Sequence, residues 1–253
     1  MRLVSLSPHL TENLFVIGAG GQLLGVSRYS DYPEAAQALP VVGDYQSLNI
    51  EAILALQPDL ILAWADGGNI PAIEQLQRFG IAVYWSRPTT LASIADELRT
   101  LGGLTAHADE AERQAKQFET TLQSLTLYSQ LRPVSVFYQV WQTPLQTLNH
   151  NTLINSVIEL CGGVNIYAQL PATVAQVAVE SLLAQNPEMI LGSHPSGEQP
   201  HWRSYWQRWP QLHAVQAQHI FSINADYLSR HTPRILFGAE QVCQAIDSVR
   251  SAT

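Results

Sequence analysis

Tyrosines and tryptophans mark the places where a parallel sheet would present them to a ligand. They are Tyr29 and Tyr32 in Arg-Tyr-Ser-Asp-Tyr-Pro, then Tyr45, Trp64, Trp85 and Trp141. All lie at predicted strand ends or in loops, and in parallel sheets ligands bind beyond the carboxyl ends of the strands. Large flat ligands are held by aromatic walls of this kind, with a few polar groups fixing orientation. Trp85 reads as a packing aromatic, whereas Tyr29, Tyr45 and Trp64 read as walls. Asp226 and Arg230, in Ala-Asp-Tyr-Leu-Ser-Arg-His-Thr-Pro-Arg, follow the last predicted strand and precede the last helix. Their spacing fits a local turn ion pair. It also fits side chains that, with backbone N–H groups at a helix start, hydrogen-bond the amide or phosphate groups of a ligand.

Catalytic chemistry finds less support. Gly18-Ala-Gly-Gly-Gln-Leu-Leu-Gly25 has leucine where a dinucleotide loop needs its third glycine, and it follows a helix rather than a strand. Gly192-Ser193-His194 follows a strand but lacks the Gly-x-Ser-x-Gly frame of a nucleophile turn. The histidines, at 9, 107, 150, 194, 201, 213, 219 and 231, form neither His-Glu-x-x-His nor a Cys/His ligand cluster. Neither a catalytic residue nor a metal ligand nor a resident cofactor is expected.

The elements that must position these residues are organised around a repeat. Asn49 to Trp64 reads Asn-Ile-Glu-Ala-Ile-Leu-Ala-Leu-Gln-Pro-Asp-Leu-Ile-Leu-Ala-Trp, and the phrase returns at Ala178–Ser193 at a constant offset of 129. Glu51/Glu180, Leu54/Leu183, Ala55/Ala184, Pro58/Pro187, Asp59/Glu188, Ile61/Ile190 and Leu62/Leu191 correspond. Solenoid repeats run to roughly 20–50 residues, so an offset this long implies two similar lobes, with a ligand cleft between them.

In the first half, strands at Leu3–Leu6, Leu24–Ser27, Leu60–Trp64 and Ala82–Trp85 alternate with helices at Thr11–Ile17, Ile50–Leu56 and Ile70–Phe79. The second half restarts with a strand at Val134–Gln139 and helices at Leu153–Cys161 and near Trp202–Trp209. A strand at Ile220–Ile223 and a helix opening at Pro233-Arg234 complete it. Alternation of this kind predicts an α/β fold of parallel sheets flanked by helices.

Between the halves, Thr105 to Tyr128 has no glycine or proline and carries Ala111, Ala115, Phe118, Leu122 and Leu125 on one helical stripe. A long surface helix within one domain would look the same. Its place between the two copies of the repeat favours a single backbone helix joining the lobes. The expected boundaries are 1–104 for the first lobe, 105–128 for the linker and 129–253 for the second lobe.

Bulk composition narrows the partners. The formal net charge is −8, with Lys116 the only lysine, so there is no basic surface for nucleic acid. A single lysine on an exposed helix also argues against P-loop and Schiff-base chemistry. No apolar run reaches the roughly 18 residues needed to span a bilayer, and no insertion into the membrane is expected. The opening Met-Arg-Leu-Val-Ser-Leu reads directly as a strand with no signal peptide before it. Cys161 and Cys243 are the only cysteines, and the pair fits either one disulfide or two buried thiols.

Taken together, these residues resemble the cobalamin-binding family of Gram-negative vitamin import systems, periplasmic substrate-binding proteins whose two lobes are joined by one backbone helix. The resemblance spans essentially the whole chain. It is carried by Leu-Ser-Pro at 6–8, Tyr-Ser-Asp-Tyr-Pro at 29–33, Asn-Ile-Glu at 49–51, Leu-Gln-Pro-Asp-Leu at 56–60 and Ala-Trp at 63–64. Gly-Gly-Asn at 67–69, Glu-Leu-Cys-Gly-Gly at 159–163 and Asp-x-x-x-Arg at 226–230 complete it.

The resemblance implies a corrinoid held by Tyr29, Tyr45, Trp64 and the stretch Asp226, Tyr227, Leu228, Ser229 and Arg230, with Trp141 nearby. It further implies a Cys161–Cys243 disulfide, a periplasmic address reached through a leader removed from the precursor, and a monomer. Glu51 and Glu180 would each meet arginines on the permease of an ATP-driven importer. Two positions depart from the family pattern: Val174 stands in place of a pocket tryptophan, and Val140, beside Trp141, in place of a pocket phenylalanine. The rival readings are a siderophore, haem or metal-ion binder of the same architecture and a bilobal chelatase.

Overall fold

The computed structural model describes residues 1–195 and 202–252, so His201 lies outside the described residues. Two compact units divide the chain. Unit 1 holds Met1–Glu119 with His231–Pro233, and unit 2 holds Thr120–Arg230 with Arg234–Thr253.

Unit 1 runs β1 (Leu3–Ser5), α1 (Pro8–Val16), β2 (Leu23–Val26), α2 (Ile50–Ala55), β3 (Leu60–Trp64), α3 (Ile70–Arg78), β4 (Ala82–Ser86) and α4 (Ala92–Thr105). The helix α5 (Ala108–Leu125) then carries the chain across the unit boundary. Unit 2 continues with β5 (Val134–Gln139), β6 (Gln146–Leu148), α6 (Leu153–Leu160), β7 (Gly163–Asn165), β8 (Val174–Gln176), α7 (Val179–Gln185) and β9 (Met189–His194). It ends with α8 (Trp202–Trp206), α9 (His213–Gln216), β10 (Ile220–Asn224), α10 (Asp226–Ser229) and α11 (Ile235–Ser251).

The two main sheets share one topology. Unit 1 orders its strands β2-β1-β3-β4, all parallel, and unit 2 orders them β7-β5-β9-β10. The repeated phrase occupies the same place in each, because Ile61 pairs with Val4 and Val83 while Ile190 pairs with Phe137 and Ile220.

Its acidic residue has a structural task in both copies. Asp59 accepts a hydrogen bond from the backbone N–H of Arg2 at 2.7 Å, and Glu188 accepts one from that of Ser135 at 2.8 Å. Each carboxylate thus pins the start of the central strand of its sheet. Main-chain donors at Ser135 and the Arg132 guanidinium outweigh burial and lower the Glu188 carboxyl below its ordinary value.

Period-2 alternation explains why the strands read as near-continuous apolar runs, since both faces of a parallel sheet are covered. Leu3 and Leu62 pack with Leu10, Leu14, Leu98 and Leu101 on one face, and Val4 and Ile61 with Ile53 and Leu76 on the other. In unit 2, Phe137 and Ile190 face Leu182, Trp206 and Leu212. The terminal α11 packs on α6, β5 and β10. A Cys161–Cys243 disulfide ties it to the residue that follows α6 within unit 2, as the family resemblance implied.

The expected linker over 105–128 is one long helix, α5, shorter than the 24 residues read from the sequence. The chain is helical through Gly102 and Gly103 to Thr105, turns at left-handed Ala106 (φ 61°), and restarts at Ala108. The glycines are not helix breakers here. A Cβ at Gly102 would lie 2.3 Å from the Ala111 Cβ, so glycine is what lets α4 approach α5 closely. The remaining 18 residues of α5 span about 27 Å. None of the described helices is long and apolar enough to cross a membrane.

Candidate functional site

At the carboxyl ends of the unit 1 strands lies a polar network rather than a void. Ser5 ends β1, Trp64 ends β3 and Ser86 ends β4. Thr11 donates to the Ser5 hydroxyl at 2.9 Å and lies 3.1 Å from that of Ser30. His9, 5% exposed, has both ring nitrogens engaged, Nδ1 with Ser7 Oγ at 2.7 Å and Nε2 with Ser86 Oγ at 3.3 Å.

Pro8 opens α1 three residues earlier than the sequence reading placed it, which suits proline's missing N–H and fixed φ. His9 consequently sits in the first turn, directly against the sheet edge.

Trp64 leaves this network on one side and meets two imidazoles. Its ring centroid is 5.7 Å from that of His9 and 5.9 Å from that of His231, and the two histidines are 5.6 Å apart. His231 belongs to the short return segment of unit 1, and its carbonyl accepts a hydrogen bond from Asn13 Nδ2 at 3.0 Å. Burial lowers the His231 imidazole pKa below its ordinary value, opposed by the carboxylate of Asp66. The Trp64 indole N–H is buried with no hydrogen-bond partner among the described residues.

The two tyrosines predicted as walls stand on loops stitched to the same region. Arg28 N–H donates to the Gly43 carbonyl at 2.7 Å, and Asn69 Nδ2 to the Asp44 carbonyl at 2.7 Å. Gly67 N–H donates to the Trp64 carbonyl at 3.0 Å. A Cβ on Gly68 would sit 2.0 Å from the Tyr45 carbonyl oxygen, so that position admits only glycine. These ties bring the loops of Tyr29, Tyr45 and Trp64 together. Both tyrosine side chains project outward, 63% and 69% exposed. Tyr29 holds a left-handed backbone (φ 68°) and, with Arg28, Asp31 and Val41, borders a hollow of about 310 Å³.

Unit 2 presents its own residues. Trp141, 62% exposed, follows β5, and its indole N–H donates to the Thr143 carbonyl at 3.0 Å. Val140 and Val174 are exposed as well. Asp226–Ser229 form the short α10, and Arg230 Nη2 lies 3.0 Å from Asp226 Oδ1. The local ion pair therefore exists. Leu228 is fully buried, main chain included, and its N–H donates to the Ala225 carbonyl at 3.0 Å, so the residue expected to line the ligand site instead packs the core. Tyr227 stacks edge-on against Phe237 and lies under the Arg234 guanidinium.

Glu51 and Glu180 occupy the first turns of α2 and α7, both exposed and without an ion-pair partner among the described residues. A carboxylate in that position complements the positive end of the helix dipole.

The pairing of His9 with His231 is what sequence reasoning passed over. Their separation of 222 positions hides the pairing. The proline that places His9 in the first turn was the available signal. Among the described residues, no group of three or more His, Cys, Asp or Glu could hold a metal ion.

The periplasmic binding protein family matches residues 3–227. A vitamin B12-binding protein of Vibrio cholerae serotype O1 is 40% identical over 244 residues, covering 96% of this chain and 87% of that one. The crystal structure of a periplasmic vitamin B12-binding protein of Vibrio cholerae superposes with a TM-score of 0.89 at 37% identity, covering 98% and 97% of the two chains. A periplasmic haem-binding protein of Roseiflexus sp. superposes with a TM-score of 0.85 at 23% identity over 98% of each chain, a likeness of fold alone.

Proposed function

The chain belongs to the periplasmic binding protein family, and on that premise we propose that it captures cobalamin in the periplasm and delivers it to the permease of an ATP-driven importer. It carries out no chemistry on its ligand and works as a monomer. The observation that carries this reading is the 40% identity to a vitamin B12-binding protein over 96% of the chain. Unit 1 contributes the rings of Tyr29, Tyr45 and Trp64. Unit 2 contributes Trp141, Tyr227 and the polar groups of Asp226, Ser229 and Arg230. A wide, flat corrin suits exposed aromatic faces, and its amide-bearing rim suits a carboxylate and a guanidinium already held 3.0 Å apart.

Glu51 and Glu180 are the docking charges of this reading. They sit at the same place in the repeated phrase, one on each unit, which matches a partner that presents two equivalent basic surfaces. The stretch 105–128 serves as the connector, with α5 its rigid part.

Isothermal titration of the purified protein with cyanocobalamin tests the proposal. A saturable heat at one vitamin per chain is expected, and a flat titration would overturn it.

A further inference from the structure

The two histidines beside Trp64 differ in one respect that decides what each can do. His9 has both ring nitrogens engaged by serine hydroxyls. His231 has no hydrogen-bond partner for either ring nitrogen among the described residues, yet its position is fixed. Asn13 holds its carbonyl, the rings of His9 and Trp64 flank its imidazole, and Thr232 beside it is fully buried. An imidazole anchored in orientation with its nitrogens unspent is a ligand in waiting, since imidazole suits the borderline and harder first-row transition metals.

We propose that His231 is an axial ligand to the cobalt of a bound corrinoid that carries a weakly held water. The assignment rests on the cobalamin reading above and adds to it a preference for aquo over cyano forms. In the step, the lone pair of one imidazole nitrogen forms the cobalt–nitrogen bond. The cobalt–oxygen bond breaks, water leaves with its electron pair, and cobalt(III) keeps its oxidation state. The other ring nitrogen retains its N–H throughout. Burial favours the neutral imidazole, the form that has a lone pair to give. A cyanide on cobalt blocks the exchange, so cyanocobalamin is held by walls and rim contacts alone.

The test is the visible absorption of the corrin at saturating protein, where a change in affinity alone does not alter the spectrum. Aquocobalamin bound to the unmodified protein should take on the spectrum it shows when mixed with free imidazole, and cyanocobalamin should not change. His231→Ala and His231→Gln should each leave bound aquocobalamin with its water-ligated spectrum. The proposal is overturned if aquocobalamin keeps that spectrum in the unmodified protein, or if either variant retains the imidazole-type shift. Failure of cyanocobalamin to bind the unmodified protein would instead sink the cobalamin reading itself, so the two failures are told apart.

Discussion

Trp64 and Ser193 occupy the same position in two sheets of one topology. Each lies five residues past the acidic residue of the repeat, and each pairs in parallel with the outer strand, Trp64 with Ser86 and Ser193 with Ile223. The scaffold at these two points is shared and the chemistry is not. One strand ends in an indole beside two imidazoles. The other carries at the matching position, one residue before its end, a hydroxyl that hydrogen-bonds the buried Tyr138, whose phenol burial pushes up to about 12.

If the indole is a ligand wall, Trp64→Ala should weaken cyanocobalamin binding by about 10- to 100-fold, the loss of roughly 1.4–2.8 kcal/mol typical of a buried aromatic anchor. Calorimetry reads the change. An affinity within twofold of the unmodified protein would show that the ring packs the fold and does not touch the vitamin.

Charge reversal at the two docking carboxylates separates capture from delivery. Glu51→Arg together with Glu180→Arg should leave the vitamin titration unaltered while uptake driven by the importer falls at least tenfold. Both residues are exposed and unpaired among the described residues, so little stability is at stake. Normal uptake by the double variant would refute the docking role.

Residues of α10 should split by burial. Leu228→Ala opens a cavity in a fully buried site and should cost about 2–5 kcal/mol of stability, read as a lowered denaturation midpoint. Arg230→Ala removes the partner of Asp226 and should show mainly as lost affinity, about tenfold or more. If the two effects were exchanged, the division of α10 into a core side and a ligand side would be wrong.

Glu97 should make stability depend on pH in an uncommon direction for a carboxylate. It is 4% exposed with Oε2 unpartnered among the described residues, and burial raises its pKa above 4.5, opposed by hydrogen bonds from Ser86 and Tyr84. The folded state therefore binds this proton more tightly than the unfolded chain. The resulting stability is complete below about pH 4.5 and is lost as pH rises through the folded value. Glu97→Gln should flatten that decline and raise the melting temperature at about pH 7 to 8. An unchanged pH profile in the variant would exclude Glu97 as its source.

The repeat made the strand and helix order legible because Pro58 and Pro187 punctuate each copy and the apolar runs between them are long. α4 was not legible through its glycines, because propensity sees a breaker at Gly102 where tertiary packing sees room for Ala111. The aromatic residues could be placed at strand ends from sequence, but their neighbours could not. Nothing local in the chain announces that Ser86 and His231 come to His9, since both contacts depend on strand order and on the chain's late return.

That late return has a consequence for synthesis on the ribosome. Unit 1 is encoded in two pieces, Met1–Glu119 and His231–Pro233, with nearly all of unit 2 made between them. As the first piece emerges, Trp64 and His9 lack their third ring, and Asn13 Nδ2 lacks the carbonyl it will hold. The disulfide cannot close before Cys243 follows a dozen residues later. Completion of the ring cluster and the covalent closing of unit 2 thus both await the last stretch of chain, so a product stopped short of residue 231 carries two unfinished halves rather than one finished unit.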